Sequence, residues 1–285
     1  MEQRTDQWHK FRSNRIGGSD APVIMGVSPW KTPYGLYLEK LGMGVNTEQT
    51  PSMTHGLEIE DRAREWFRGI TGIPALPSVY TKNDWMMASY DGFYVIPGPG
   101  SQSIKVCLEI KLANQEDHEC VKSGKVPTKY YPQVQHQIEV IDADKAYYLS
   151  WRDEDPVLIT VDRDDAYIDD MVKKERKFWQ GLQNLDPPEM TDRDHIKMTD
   201  PSVLQMVKEW KELQPAVKRA KELRELIVAA SKDQSWQGGG VRASKVIRRA
   251  AIPYSSIPEI QSLDLESYRP GPIETWRLSE YQEKK

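Results

Sequence analysis

Apolar side chains occupy every second position of residues 104–112, with Lys105, Cys107, Glu109 and Lys111 between them, and this pattern predicts a β-strand. Because successive side chains of a strand point to opposite faces, Glu109 and Lys111 lie on the same face. An earlier strand-like run carries Asp91, and the glycine-proline turn at residues 97–101 can bring Asp91 beside that pair. Two carboxylates then meet one lysine at a sheet edge. Oxygen ligands of this kind suit Mg²⁺, and the lysine can orient a water and steady developing phosphate charge.

Length, hydropathy and cysteine content narrow the class of protein. The chain has 285 residues, which is typical of about two domains, and it includes nine Trp. No run of about 18 apolar residues occurs, so we expect no membrane span. The first six residues lack an apolar signal region, so we expect no export, and the presence of only two cysteines fits a reducing cytoplasm. Two cysteines, Cys107 and Cys120, predict no disulfide framework, and no Cys or His has zinc-like spacing.

Further motifs lie before and after this strand pair. They are Trp8-His9-Lys10-Phe11-Arg12, Gly18-Ser19-Asp20, Gly56-x-x-x-Glu60 followed by Ala63-Arg64, and Gln133-Val134-Gln135. Together with Asp91 and Glu109-x-Lys111, they resemble the PD-(D/E)xK nuclease superfamily. More narrowly, the chain resembles the YqaJ-type viral recombinases, which are relatives of phage lambda exonuclease. The resemblance covers residues 8–182, and it departs from the common pattern where Tyr90 rather than proline precedes Asp91.

The resemblance implies an α/β fold with a restriction-endonuclease-like core, in which helices flank a mixed central sheet. It implies a Mg²⁺-dependent 5′–3′ exonuclease, with Mn²⁺ as a substitute ion, that acts on double-stranded DNA ends. The 3′ single-stranded tails would serve phage-type recombination by strand annealing. A single-strand annealing protein would be its partner, a homo-oligomer is expected with a trimer favoured, and the setting would be the cytoplasm of a bacterium or phage-infected host.

The resemblance also assigns roles to particular residues. Asp91, Glu109, the carbonyl of Ile110 and Glu60 would hold metal, whereas Lys111 would activate or orient the attacking water. The residues leave open whether burial lowers the pKa of Lys111 or the carboxylates keep it high. Gln133 would point into the site and position phosphate or water. The alternatives are a boundary salt bridge for Glu60 and a solvent-exposed pair for Gln133 and Gln137.

A second group of residues near the N-terminus is expected to bind the 5′ phosphate of a DNA end. The resemblance assigns this role to Arg12 and Ser19. Ser19-Asp20 can also begin a short helix that runs through Met25, and a helix N-terminus binds phosphate readily. The structural alternative makes Arg12 a surface cation and Ser19 only a helix cap.

Periodicity predicts helices at residues 5–15, 32–41, 57–69, 132–141 and 165–182, and strands at 78–82, 85–95, 104–112, 145–151 and 157–161. Residues 114–129 are predicted as a polar loop. Its Lys122, Lys125 and Lys129 either contact the DNA backbone or face solvent.

The chain is predicted to divide at Asp186-Pro187-Pro188 into an exonuclease domain, residues 1–186, and an extension, residues 187–285. The extension contains a helical segment at 201–232, which Pro215 should kink or interrupt, and a small basic β-unit at 240–285. Its cations are Arg242, Lys245, Arg248 and Arg249, and they form either an accessory DNA contact or a solvated face.

Net charge and the motif set leave other classes open. A net charge of −4 counts mildly against a DNA-binding protein unless basic residues line an enclosed groove. A catalytically inactive DNA-end-binding scaffold has no need for Asp91, Glu109 and Lys111 together. An endonuclease on the same fold would not need the Arg12 and Ser19 elements. We therefore favour the exonuclease.

Overall fold

A computed structural model describes residues 3, 5–43, 51–97, 103–232, 234–248 and 257, with only the backbone described for residues 51–58. Contacts divide the chain into two units, Met1–His195 and Ile196–Lys285. The first unit thus extends beyond the boundary predicted at residue 186. The physical reason is that Arg193 donates hydrogen bonds to the carbonyl oxygens of Ser28 (3.1 Å) and Pro29 (2.7 Å).

The first unit is built on a mixed sheet whose central hairpin carries Asp91 and Glu109. Its strands are β1 (Ile16–Gly17), β2 (Leu76–Lys82), β3 (Met86–Pro97), β4 (Ser103–Leu112), β5 (Lys145–Arg152) and β6 (Asp155–Asp162). Their order is β1-β3-β4-β5-β6, and β2 also pairs with β3. The β1–β3 and β4–β5 pairs are parallel, whereas the other pairs are antiparallel. The mixed sheet expected from the sequence is confirmed.

Helices pack against both faces of this sheet. They are α1 (Asp6–Ser13), α2 (Ala21–Ile24), α3 (Pro33–Lys40), α4 (Pro51–Thr71), α5 (Gln115–Lys122), α6 (Tyr131–Ile141) and α7 (Asp165–Asn184). The polar loop predicted at residues 114–129 is wrong in its first half, where α5 lies. The side chain of Asn114 accepts a hydrogen bond from the Asp117 N–H and caps this helix, and the helix buries His118 and Val121.

Two hydrophobic clusters occupy opposite faces of the sheet. One joins Val106, Leu108 and Ile110 of β4 to residues of α4, including Phe67. The other includes Cys107 of β4 and residues of α6 and α7. Because both faces of β4 are covered, the charged residue Glu109 is buried as well. Both cysteines are free, as expected.

The second unit contains one long helix and a small hairpin in its described part. The helix α8 (Pro201–Ala230) continues through Pro215, so the predicted interruption is wrong. Strands β7 (Trp236–Gly238) and β8 (Val241–Ala243) pair antiparallel. Most of the predicted β-unit, residues 249–256 and 258–285, lies outside the described residues, and so does Arg249. Over the described chain, no helix is long and apolar enough to cross a membrane.

Candidate active site

The β3–β4 hairpin brings Asp91 next to Glu109. Gly92 pairs with Leu108 in this antiparallel hairpin, so the next positions along the two strands are Asp91 and Glu109. The Asp91 side chain is fixed to the neighbouring strand because its Oδ2 accepts a hydrogen bond from the Ile110 N–H at 2.8 Å. The two acids, eighteen residues apart in the sequence, therefore lie on adjacent strands.

Glu109 is the most heavily engaged of the site carboxylates. It is only 2% exposed, and a buried carboxylate is costly unless it is paired. Its Oε1 accepts hydrogen bonds from the Lys111 ammonium and from Gln133 Nε2 (2.5 Å), and its Oε2 accepts one from Gln137 Nε2 (2.5 Å). Three donors thus hold the carboxylate in one orientation.

Gln137 is a site residue that the sequence analysis did not identify. The alternative of a solvent-exposed glutamine pair is wrong for Gln137, which is buried and also donates to the Ser89 carbonyl oxygen (3.1 Å). The available signal was its spacing, since Gln137 follows Gln133 by four residues on one helix and must lie on the same side.

Tyr90, the residue that replaces the expected proline, helps to hold helix α6 on the sheet. Its buried hydroxyl donates a hydrogen bond to the Gln137 carbonyl oxygen at 2.8 Å. One residue earlier on α6, His136 is fully buried, with Nδ1 2.8 Å from Glu175 Oε1 and Nε2 2.9 Å from the Met87 carbonyl oxygen. Both ring nitrogens face acceptors, which is the arrangement of an imidazolium. Burial alone would lower the pKa of His136, but the Glu175 carboxylate raises it above its ordinary value.

The electrostatics of the site favour added positive charge. Burial, together with the negative charge of Glu109, raises the pKa of Asp91 to about 8, although Lys111 opposes this rise. Burial would lower the pKa of Lys111, but Glu109 and Asp91 outweigh burial and raise it above its ordinary value. The Lys111 side chain is therefore a charged ammonium donor that does not fully offset the carboxylates around it.

Glu60 approaches the same site from helix α4. Its negative charge contributes to the raised pKa of Asp91. Arg64 Nη1 lies 3.9 Å from the Glu60 carboxylate and donates to the Asp91 carbonyl oxygen at 3.2 Å. Both sequence interpretations thus have a structural counterpart, because Glu60 is close to Asp91 and also pairs with an arginine.

The donor set fits a hard divalent cation. Carboxylates and a main-chain carbonyl are the ligands that Mg²⁺ and Mn²⁺ prefer. Among the described residues, no three acids, histidines or cysteines are already grouped as metal ligands. A divalent ion would therefore draw chiefly on Asp91, Glu109 and the Ile110 carbonyl, with water completing its shell.

Arg12 and Ser19 form a second polar cluster. Arg12 Nη2 donates to Ser19 Oγ at 2.6 Å and to Asp20 Oδ1 at 3.2 Å. Asp20 is buried, and its Oδ2 lies 2.6 Å from Lys40 Nζ and accepts the Gly17 N–H at 2.8 Å. Burial would raise the pKa of Asp20, but Lys40 and Arg12 hold it well below its usual range. Asp20 occupies the N-cap position of α2 without capping it, and instead it orients Arg12.

The two clusters are close neighbours. A methyl group placed on Gly18 would lie 3.5 Å from the Cγ atoms of both Gln133 and Gln137. Because these glutamines bind Glu109, a single layer of side chains separates the Glu109 carboxylate from the turn that precedes Ser19. The structure therefore brings together Asp91, Glu109, Lys111, Glu60 and Gln133, with Arg12 and Ser19 on the neighbouring turn.

Comparison with known proteins agrees with this architecture. Residues 7–144 match the YqaJ-like viral recombinase domain, so the resemblance seen in the motifs is confirmed. The chain is 28% identical to the uncharacterized protein YqaJ of Bacillus subtilis (strain 168) over 193 residues. This alignment covers 62% of the chain and only 56% of the Bacillus protein.

Two solved structures share the fold of the first unit. Both are of the alkaline exonuclease LHK-Exo, from Laribacter hongkongensis, and one is a complex with dAMP. The TM-scores are 0.52 for the dAMP complex and 0.51 for the other structure, each with 22% sequence identity. Each match covers 64% of this chain and 94% of the exonuclease chain.

Proposed function

We propose that this protein is a divalent-metal-dependent exonuclease that digests double-stranded DNA from its 5′ ends. Its 3′ single-stranded product would enter phage-type recombination by strand annealing. The observation that carries the proposal is the hairpin on which buried Glu109 binds Lys111 beside Asp91. The fold shared with an alkaline exonuclease supports it, and so does the dAMP bound to that protein, since an exonuclease releases deoxynucleoside monophosphates.

Each site residue has a role in this reaction. Asp91, Glu109 and the Ile110 carbonyl would hold Mg²⁺ or Mn²⁺, with Glu60 at the margin. The bound ion would lower the pKa of a water and offset the charge of the phosphate. Lys111 would orient the attacking water and steady the developing charge. Gln133 would keep the Glu109 carboxylate aimed at the ion.

Selection of a 5′ end would fall to Arg12 and Ser19. Arg12, Lys40 and Asp20 together carry one net positive charge, which suits a terminal phosphate. Asp20 and Ser19 already orient the Arg12 guanidinium, so little side-chain freedom would be lost on binding. A phosphate here would lie one side-chain layer from Glu109, which supports cleavage near the end rather than at interior sites.

The proposal extends to assembly, partner and location through the family resemblance. We propose a homo-oligomer, with a trimer favoured, that works with a single-strand annealing protein in the cytoplasm of a bacterium or phage-infected host. A closed ring would let an acidic exterior coexist with a basic bore, in keeping with a net charge of −4. Sedimentation of the full chain with and without duplex DNA tests the assembly.

A linear duplex and a covalently closed circle of the same sequence test the activity. An exonuclease releases label from the 5′ ends of the linear duplex in Mg²⁺ or Mn²⁺ and spares the circle. An endonuclease cuts the circle, and an inactive scaffold binds ends without releasing label. The loss of release in Lys111→Ala, but not in the control Lys174→Ala on the exposed face of α7, would support the assigned site.

A further inference from the structure

Trp30 places a large aromatic ring in solvent close to the candidate active site. It lies between α2 and α3, and 65% of its surface is exposed. An indole ring gains free energy on burial, so an exposed one on a protein surface is frequently a binding residue. Its position on the loop that follows the Arg12–Ser19 cluster makes it a candidate for contact with the same substrate.

The loop that carries Trp30 is held firmly. The Arg193 guanidinium donates to the carbonyl oxygens of both Ser28 and Pro29, at 3.1 and 2.7 Å. Ser28 Oγ accepts hydrogen bonds from the N–H groups of Trp30 and Lys31, each at 3.3 Å. The exposure of the ring therefore belongs to an ordered loop, which reduces the entropy lost when a ligand stacks on it.

Trp30 belongs to a chain of aromatic and cationic groups that leads to Lys111. Its ring centroid lies 5.9 Å from that of Tyr130 at an interplanar angle of 34°. Lys129 Nζ lies 5.4 Å from the Trp30 centroid and 5.3 Å from the Tyr130 centroid. On the inner side, Lys111 Nζ is 5.2 Å from the Tyr130 ring, which packs against the core. Tyr130 therefore links the active-site lysine to the exposed indole.

We propose that Trp30, Tyr130 and Lys129 form a nucleobase-binding subsite at the entrance to the Glu109–Lys111 site. The ligand is an unpaired nucleotide at the end of a DNA duplex. Its base stacks on the Trp30 ring, and the Lys129 ammonium, which Asp117 holds at 2.7 Å, contacts its phosphate. Every base offers a π-face, so such a subsite accepts any sequence, as an enzyme that digests along a strand requires. The inference rests on the proposed function, because it places the DNA end at that site.

The occupant is a nucleotide because the subsite combines two different recognition elements. An aromatic ring suits a base, and Lys129 and Lys111 on its inner side suit phosphates. Separation of one terminal base from its partner would also present the scissile phosphate to Glu109 and Lys111. The stacked base would then offset part of the cost of unpairing it.

A duplex with a two-nucleotide unpaired 5′ end tests the subsite when 2-aminopurine replaces a base in that end. Binding in EDTA is followed by quenching of the probe, so the measurement needs no cleavage. We expect the parent protein to quench the probe, Trp30→Ala to bind about tenfold more weakly without quenching, and Trp30→Phe to recover most of both. In Mg²⁺, Trp30→Ala should raise KM more than it lowers kcat.

Tyr94→Ala, at an exposed aromatic position on β3, is the matched control and should bind and quench as the parent does. Parent-like binding and quenching by Trp30→Ala would overturn the subsite, and so would failure of the parent to bind the probe. If the parent binds and quenches but digests no DNA, the subsite holds and the proposed exonuclease function fails. If the parent digests DNA but Trp30→Ala has the same KM and the same quenching, the exonuclease function holds and the subsite fails.

Discussion

Gln137 should stabilise the protein more than Gln133, although both bind the same carboxylate. Gln137→Leu removes a charge-assisted hydrogen bond to Glu109 and a neutral one to the Ser89 carbonyl oxygen. Losses of about 2 and about 1 kcal/mol are typical for two such bonds. The more apolar leucine returns about 1 kcal/mol by burial. The net loss is about 2 kcal/mol, or about 4–8 °C in Tm for a unit of this size.

Gln133→Leu is the matched control because it makes the same chemical change one helical turn earlier. Gln133 is only partly buried and the structure records one hydrogen bond for its side chain, to Glu109. Water can replace part of that bond, so we expect a loss of about 1 kcal/mol or less. Urea unfolding of the two variants, followed by near-ultraviolet circular dichroism, gives the comparison. Equal midpoints, or a larger loss for Gln133→Leu, would refute the reasoning.

Three further predictions concern the chemistry and the pH response. Lys111→Ala should lower the rate of DNA digestion by about a hundredfold or more while DNA binding persists, and undiminished digestion would contradict its role. Arg12→Ala should reduce the preference for 5′-phosphorylated ends in a competition between phosphorylated and unphosphorylated duplexes, and a parent protein without that preference would remove the basis for the assignment. The folded-state pKa of His136 is raised by Glu175, with a smaller contribution from Asp20. The stabilisation is therefore fully present below its unfolded-state pKa, about 6.5, and is lost as pH rises through the higher folded-state value. The stability difference between the parent and His136→Gln should shrink from pH 6 to pH 9 in urea titrations, and a constant difference would contradict a charged imidazole.

The sequence predicted those features that depend on local periodicity. The strand at 104–112 is confirmed. Apolar residues at every second position over nine residues fit a β-strand and do not fit the period of a helix. Helix α5 was missed because its residues are polar, and only contacts with the sheet reveal that His118 is buried. Pro215 lies inside a continuous helix, although a proline in a helix interior normally kinks or interrupts the helix.

The candidate site was predictable in its residue types and less so in its supports. Gln137, His136 and Asp20 are polar residues whose burial depends on partners remote in the sequence. Each is stabilised by a group from another element, namely Glu109, Glu175 and Lys40. A single sequence contains no periodic signal for such pairings, because a polar residue is normally exposed unless a partner satisfies it.

The amides that orient Glu109 come from α6 and not from the strands beside it. A slide of that helix by one residue, about 1.5 Å along its axis, would carry both amides past the carboxylate while the sheet stayed unchanged. A contact that displaced α6 would therefore change the orientation of the Glu109 carboxylate without moving β3 or β4.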